Sequence, residues 1–389
     1  MSRLRALLNE LYVNVMRRLI RSRRAMRFLR RHPRFARRLR PRLVLSYEEA
    51  IQVLRQDRAF GVPYLATMSE HETPFVLGLP HSRDHTRQRR ALLAATDDDR
   101  ALAVLARRSR EVAGEQLGVE GRIDALGELT EPVLRATMGE FLGTGDVGAD
   151  ELEEARAIFR DIFINPLRAR GVHETALAAS TNLRRRVDLR VEERRAGATA
   201  HADVLGRLLA PNGAARLHGD EVQAQLAGLI VAWAASLPRA MAFTLDWLVD
   251  APEAMARAQL AAEADDLQAV WRVLLEAMQA HPPAPGVERH CLRAGSLQGG
   301  PVPCEGQVMV VLTSAMWDPA FAAGARGEGL QNLPFGYGMH QCLGRRIAEV
   351  QLSAIAIELL RRPNVRRAGK LEIDGPYPSR LDLAFDAVR

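Results

Sequence analysis

One short stretch of the sequence combines residues that could do chemistry with a spacing that suits it. It contains an aromatic residue, a glycine, a cysteine and a second glycine at Phe335, Gly338, Cys342 and Gly344. If Cys342 is a thiolate ligand to a haem iron, both glycines let the backbone lie close against a flat macrocycle. A helix that starts at Cys342 would point its N–H groups at the sulfur and lower the pKa of the thiol, and Phe335 would shield the sulfur from water. The alternative is a glycine-rich loop that holds an inert, buried cysteine.

These residues resemble the haem-binding signature of the cytochrome P450 superfamily, Phe-x-x-Gly-x-x-x-Cys-x-Gly. The resemblance extends over roughly residues 40–389, and its strong motif is the cysteine loop. It implies a divergent haem-thiolate protein of the soluble bacterial type, with a mainly α-helical fold that includes small β-sheets. It also implies haem b as cofactor and Cys342 as the ligand of its iron. Phe335, Gly338 and Gly344 then become cofactor-binding residues.

The resemblance assigns further residues to the haem propionates. His85 and Arg89 are four residues apart and share one helix face, and they resemble the His-x-x-x-Arg helix of the family. Arg289 resembles an arginine that reaches a propionate from a strand, and His340 matches a common propionate contact two residues before the cysteine. Because His–Arg pairs are frequent on solvated helix faces, the pair by itself would be a weak signal.

A long apolar stretch between Asp220 and Asp250 predicts a buried helix that crosses the domain. The family's longest helix crosses the distal haem face and usually carries Ala-Gly-x-(Asp/Glu)-Thr, in which the acid and the alcohol organise proton delivery. The matching alcohol here is Ser236, but Ala235 replaces the acid and Trp233 replaces the glycine. We therefore name Ser236 and Ala235 as the catalytic positions, and the missing acid puts conventional oxygen activation in doubt.

A second departure from the family lies in its Glu-x-x-Arg helix. The matching residues are Glu276 and Gln279, so the usual arginine is a glutamine and the bidentate charge pairing is lost. Glu276 must then find another partner or become neutral. Arg326 is the one candidate for the arginine that often joins this pair from the following meander, which is short in this chain.

The positive charge is concentrated at the N-terminal end of the chain. Residues 1–42 contain fifteen of the 54 basic side chains and one of the 47 acidic ones, so this arm carries +14; residues 43–389, with 39 basic and 46 acidic side chains, carry −7. Apolar residues recur at helical spacing in the arm. Such a basic amphipathic helix can lie on an anionic membrane, on an acidic partner or on its own acidic body. We divide the chain into this arm, 1–42, and a single haem domain, 43–389.

Cellular location and partners are predicted from composition. Three cysteines without a Cys-x-x-Cys pair fit a reducing cytosol, so we expect a cytoplasmic protein, with the arm as a point of peripheral membrane contact. Few aromatic residues accompany the arginines of the arm, which argues against nucleic acid as a partner. P-loop, Rossmann, zinc-protease and nucleophile-elbow motifs are missing.

Three functions remain open. The first is an oxidoreductase of the monooxygenase type, which oxidises a small apolar substrate with dioxygen and electrons from a separate, ferredoxin-type donor. The second is a haem-thiolate enzyme that uses or rearranges a peroxide, such as a peroxygenase or a lipid-hydroperoxide isomerase; Ala235 favours it. The third is a haem-binding or partner-recruiting relative that has lost turnover.

Overall fold

A computed structural model describes residues 2–36, 38–118, 121–197, 202–210, 217–297, 300–324, 330–375 and 377–386. The α-helices in these ranges are α1 (Ser2–Ile20), α2 (Arg23–Arg31), α3 (Pro33–Ala36), α4 (Tyr47–Arg55), α5 (Leu65–Glu70), α6 (Arg83–Thr96), α7 (Asp99–Gln116), α8 (Glu131–Leu142), α9 (Ala149–Ile164), α10 (Arg170–Ala196), α11 (Val204–Leu209), α12 (Glu221–Leu248), α13 (Pro252–Glu263), α14 (Leu267–Ala280), α15 (Leu312–Met316), α16 (Pro319–Gly324) and α17 (Arg345–Leu360). The strands are β1 (Arg42–Val44), β2 (Phe60–Gly61), β3 (Arg122–Asp124), β4 (Val287–Cys291), β5 (Gly295–Leu297), β6 (Gly300–Val302), β7 (Gln307–Val310), β8 (Arg366–Arg367), β9 (Glu372–Asp374), β10 (Tyr377–Arg380) and β11 (Asp382–Ala384).

The strands form small sheets beside a large helical core, which confirms the predicted fold class. The largest sheet has the order β1-β7-β4-β2, and a second has the order β3-β11-β8; β5 with β6 and β9 with β10 form hairpins. In the first sheet β1 runs parallel to β7, and Arg42 pairs with Val308. Strand β4 runs antiparallel to β7, and Arg289 pairs with the same Val308. Arg289 therefore lies on an inner strand, where its backbone position is fixed.

Helix α12 is the central element of the core. At 28 residues it is about 42 Å long, and it continues through Pro238. In the part of the chain that the structure describes, it alone is long and apolar enough to cross a membrane, and 78% of its most apolar window is buried inside the protein, as in a core helix. Asp220 occupies the N-cap position, where its residue type favours a capping hydrogen bond, but its side chain makes none.

The arm packs on the body through a core cluster of its own. Ile20, Met26 and Leu29 are buried there together with Leu43 and Val311 from the β1–β7 region. Further along the arm, Nη1 of the Arg30 guanidinium donates to the Ser314 carbonyl at 2.6 Å. Strand β1 begins at residue 42, so the arm leads directly into the sheet. The domain boundary after residue 42 stays a prediction.

A buried glutamine joins α12 to α17, the helix that follows the cysteine loop. Gln351 on α17 accepts a hydrogen bond from the Trp233 indole at 2.8 Å, and its amide donates to the Thr137 hydroxyl on α8 at 2.8 Å. The bulky Trp233 is thus held by α17 and packs edge-on against Phe141. This hydrogen-bonded chain fixes the relative position of three helices around the site.

Replacing this glutamine tests how strongly the three helices depend on it. We expect Gln351→Ala to lower the free energy of unfolding by about 2–4 kcal/mol, because it leaves a buried indole N–H unpaired and opens a cavity. Chemical denaturation monitored by circular dichroism would measure the loss. The matched control is Gln268→Ala on the exposed face of α14, which should change stability by less than about 0.5 kcal/mol. Equal effects of the two substitutions would contradict the expectation.

Candidate functional site

The cysteine loop is closed by its own backbone. The N–H of Cys342 donates to the carbonyl of Phe335 at 2.8 Å, and Gly336 and Gly338 have positive φ angles of 74° and 77°. Helix α17 begins only at Arg345. The prediction of a helix that starts at Cys342 is therefore wrong by three residues, because the chain makes a turn between the cysteine and the first helical residue.

The two motif glycines serve different purposes. A Cβ atom on Gly338 would lie 2.2 Å from the carbonyl oxygen of Leu54 in α4, so this glycine is required by protein packing and by its positive φ. A Cβ atom on Gly344 would approach only Cys342 Sγ, at 4.0 Å. Contact with a macrocycle was the predicted reason for both glycines. At Gly338 the structure gives another reason, because a Cβ atom would meet α4, and the contact with a macrocycle stays a prediction.

The thiol of Cys342 lies in an enclosed position. The residue retains an exposed surface, yet burial raises the pKa of its thiol more than the Gly344 N–H and the charges of Arg89 and Arg345 lower it. Cys342 keeps accessible surface although many protein atoms surround its thiol. We interpret this combination as a residue that faces a hollow within the protein. The prediction that the helix terminus lowers the pKa of the Cys342 thiol is therefore wrong when no metal ion is bound. A metal ion deprotonates a thiol that coordinates it, so a thiolate here depends on iron.

Four predicted propionate ligands come together beside this thiol. The rings of His85 and His340 are both buried and pack edge-on, with 5.2 Å between their centroids. Arg89 Nη2 donates to the carbonyl of Gln341, next to the cysteine, at 2.8 Å. Arg289 is also buried, and its Nη1 donates to the carbonyl of Glu288 at 2.8 Å. Residues from α6, β4 and the cysteine loop thus converge, as the sequence predicted.

The electrostatics of this group favour an anionic ligand. Burial, followed by the charge of Arg89, lowers the pKa of His85 to about 4; burial, followed by the charge of Arg289, lowers the pKa of His340 to about 3. Both imidazoles are therefore neutral at pH 7. Within the described residues no carboxylate lies within ion-pair distance of any of the four side chains. The charge of Asp57 acts on Arg289 from beyond ion-pair distance, so the positive charge of the group is only partly balanced by the protein.

Two buried nitrogen atoms of this group lack a hydrogen-bond partner. They are Nε of Arg289 and Nδ1 of His340. Buried polar atoms are nearly always paired, and carboxylates are the strongest acceptors for guanidinium groups. The two propionates of a haem would satisfy these atoms, and the enclosed thiol of Cys342 would face its iron, so the residues present fit the group. Their individual assignments stay predictions.

The distal positions of α12 differ in exposure. Ser236 is exposed, and Ala232, one turn earlier, is partly exposed, so both have surface on the same helix face. Ala235 is buried at 2% exposure and turns into the core. Ser236 can present its hydroxyl to a ligand, whereas Ala235 marks only the position at which the family has its acid.

The altered Glu–Arg helix finds new partners. Glu276 on α14 pairs with Arg257 on α13 at 2.7 Å, and Gln279 donates to the carbonyl of Gln331 at 2.7 Å. This hydrogen bond holds the segment that leads into the cysteine loop. Gln279 thereby substitutes for the missing arginine. Arg326 lies outside the described residues.

Sequence reasoning missed a buried polar cluster. Asp161 accepts hydrogen bonds from His71 at 2.9 Å, from Asn165 at 2.6 Å and from His173 at 2.7 Å, and His71 also contacts the Ser180 hydroxyl at 2.7 Å. Burial raises the pKa of Asp161, but these three hydrogen bonds outweigh it and lower the pKa to about 2. Because its members already satisfy one another, the cluster is structural. No local motif could have revealed it, since its members are scattered over a hundred residues.

Comparison with known proteins places this site in a family. The family model for Cytochrome P450 matches residues 322–372, which include the whole cysteine loop. The chain is similar to the cytochrome P450 superfamily in the sequence around the cysteine loop and in its fold. This similarity implies a haem b cofactor. Cytochrome P450 105C1 of a Streptomyces species is 38% identical over 89 residues, which cover 21% of this chain and 23% of that protein.

Two further comparisons show how far the sequence of this chain differs from those of known cytochromes P450. The erythromycin C-12 hydroxylase of Saccharopolyspora erythraea is 28% identical over 120 residues, 29% of each chain. The matched segments thus span less than a third of these curated relatives. The structure of cytochrome P450 CYP109Q5 from Chondromyces apiculatus matches with a TM-score of 0.71 at 20% identity, over 95% of this chain and 98% of that one. The fold is shared along the chain, while sequence similarity is confined to segments.

The propionate assignment can be tested at Arg289. We expect Arg289→Leu to increase the rate of haem loss at least about tenfold, because a buried charge-assisted partner of one carboxylate is removed. Haem transfer to an excess of acceptor apoprotein would measure this rate. The control is Arg293→Leu, four residues on and exposed, which should leave the rate unchanged. If Arg289→Leu unfolds more readily but loses haem at the normal rate, the arginine is only structural.

Proposed function

We propose that this chain is a haem-thiolate monooxygenase that oxidises a small, largely apolar molecule. The observation that carries the proposal is the Cys342 thiol beside the buried Arg289 and the partly buried Arg89, neither of which has a carboxylate within ion-pair distance among the described residues. Haem b, when bound, supplies the oxygen-activating chemistry. The hydroxylase among the relatives supports this reaction class.

The chain's own residues have three tasks in this reaction. Cys342 provides the sulfur ligand, and the Gly344 N–H stabilises negative charge on that sulfur. Arg89 and Arg289 orient the carboxylates of the cofactor. Ser236 offers a hydroxyl that can hold a water molecule or a substrate oxygen on the distal side.

A peroxide-using enzyme is the second candidate, and a specific observation favours it. Between Glu221 and Asp246, α12 contains no acidic residue, and Ala235 is buried. Ser236 therefore has no acid next to it on this helix from which to relay a proton. A peroxide already carries the electrons and protons that dioxygen lacks, so its use would depend less on such a relay.

We propose that electrons come from a separate ferredoxin-type protein. Arg345 and Arg346 follow the cysteine loop in the sequence and are candidates either for a basic patch that binds an acidic electron donor or for solvated side chains. In the structure Arg345 pairs with Glu349 at 3.2 Å, and Arg346 pairs with Asp97 at 2.9 Å. Their charges are thus partly neutralised, and the donor is proposed on the reaction chemistry alone.

Spectroscopy tests the haem-thiolate proposal directly. The reduced protein under carbon monoxide should show the strongly red-shifted band of thiolate-ligated haem, and Cys342→Ala should lose it because no other sulfur can reach the same position. Cys304→Ala, at an exposed cysteine, is the matched control and should keep the band. An unchanged spectrum of Cys342→Ala would exclude the proposed ligand. Product formed with hydrogen peroxide alone, and not with dioxygen and a ferredoxin system, would select the second candidate.

We also propose that the arm touches an anionic membrane surface. Leu7, Leu11 and Val15 on α1 are 64%, 60% and 54% exposed, and the arm carries a charge of +14. Exposed leucines on a basic helix match the chemistry of peripheral membrane helices. The protein would then be cytoplasmic and associate reversibly with the membrane.

Vesicle binding tests this contact. Leu7→Gln combined with Leu11→Gln should weaken co-sedimentation with phosphatidylglycerol-containing vesicles at least about tenfold, because the apolar contribution of two leucines is lost. The control combines Leu189→Gln with Leu260→Gln, which are 54% and 68% exposed elsewhere. Equal binding of both double variants, or equal binding to neutral vesicles, would refute the membrane contact.

A further inference from the structure

Two arginines from distant parts of the chain meet at one carbonyl oxygen. Arg239 of α12 donates from Nη2 to the carbonyl of Pro283 at 2.8 Å, and Arg21, between α1 and α2, donates to the same oxygen at 3.4 Å. Nε of Arg239 and both Nε and Nη1 of Arg21 are buried and have no hydrogen-bond partner. Among the described residues no carboxylate lies within ion-pair distance of either guanidinium.

The surroundings of this pair add no negative charge. Burial, followed by the charges of Arg239 and Arg17, lowers the pKa of Arg21 to about 9, and burial also lowers the pKa of Arg239. The neighbouring His281 has its pKa lowered to about 4 by burial and then by the charge of Arg21, so it is neutral at pH 7. Two buried like charges with free donors form a strong site for an oxyanion, since guanidinium groups bind carboxylate and phosphate with two parallel hydrogen bonds.

This arginine pair, Arg21 and Arg239, lies close to the distal face. Arg239 follows Ser236 by three residues, so it is on the same side of α12 and about 4.5 Å further along the axis. It is the only ionisable residue of that helix between Glu221 and Asp246. The backbone position from which Arg239 extends is therefore less than one helical turn from that of Ser236.

A run of aromatic rings extends from the arginine pair. The Arg239 guanidinium lies 5.6 Å from the centre of the Tyr377 ring. Successive ring centres are then 6.5 Å apart for Tyr377 and Phe159, 4.5 Å for Phe159 and Phe163, and 4.8 Å for Phe163 and Tyr64. These rings provide an apolar surface that begins at the arginine pair, which suits a ligand with one charged end and an apolar body.

We propose that Arg21 and Arg239 bind the carboxylate or phosphate group of an amphiphilic substrate, whose apolar body extends along the aromatic rings between Tyr377 and Tyr64. The inference rests on the proposed oxidation at the haem-thiolate site and refines the substrate from apolar to amphiphilic and anionic. It also gives the arm a part in substrate binding, because Arg21 belongs to it.

Matched twelve-carbon ligands test this site in the full-length holoprotein. Isothermal titration calorimetry should show dodecanoate and dodecyl phosphate binding at least about tenfold more tightly than dodecanol, because only the anions pair with both arginines. Arg239→Gln and Arg21→Gln should each reduce this preference at least about tenfold while dodecanol affinity stays unchanged. The order of the two anions identifies the head group as carboxylate or phosphate.

Two controls separate ligand binding from structure. Arg272→Gln, on the exposed side of α14, removes the same charge and should keep the full preference. The melting temperatures of Arg239→Gln and Arg21→Gln should not fall, because each substitution relieves repulsion between buried cations. Equal binding of dodecanoate and dodecanol by the natural protein would overturn the proposal. So would inorganic phosphate that binds as tightly as dodecyl phosphate, since that would indicate a site for free anions.

The calorimetric test of the anion site can succeed or fail independently of the proposed haem-thiolate reaction. Calorimetry reports the preference for anions without turnover, and the carbon monoxide spectrum reports the thiolate ligand without substrate. A protein with the red-shifted band but no preference for anions would retain the proposed function and refute the anion site. A preference without the band would refute the haem-thiolate proposal and leave an anion-binding pocket.

Discussion

The structure depends on positive charge that is withdrawn from water without an ion-pair partner among the described residues. Arg89 and Arg289 gather beside His85 and His340, and no described carboxylate lies within ion-pair distance of them, although the charge of Asp57 acts on Arg289 from further away. A protein core tolerates such a group only if a ligand supplies the missing charge, because isolated buried cations are strongly unfavourable. The fold of α6, β4 and the cysteine loop is therefore organised to be completed by an anionic cofactor.

Local patterns predicted the parts of the site that are encoded locally. The cysteine loop was recognisable because its four motif residues lie within ten positions, and α12 was recognisable because its apolar run is long. The spacing of His85 and Arg89 placed both on one helix. These are short-range properties, which a sequence displays directly.

The remaining features depend on packing between distant segments. The pairing of Glu276 with Arg257 and the hold of Gln351 on Trp233 join separate helices, so no spacing rule could have indicated them. The thiol pKa was misjudged for a related reason. A helix terminus acts locally, whereas the dehydration that outweighs it arises from everything packed around Cys342.

Gly338 shows that a cofactor signature can also be a folding signature. Its Cβ position is taken by the backbone oxygen of Leu54, which belongs to α4 and not to any ligand. Selection for a correctly packed loop would keep this glycine in a descendant that no longer binds haem. Along an evolutionary lineage, the glycine therefore records the architecture, and the cysteine with its surrounding cations records the chemistry.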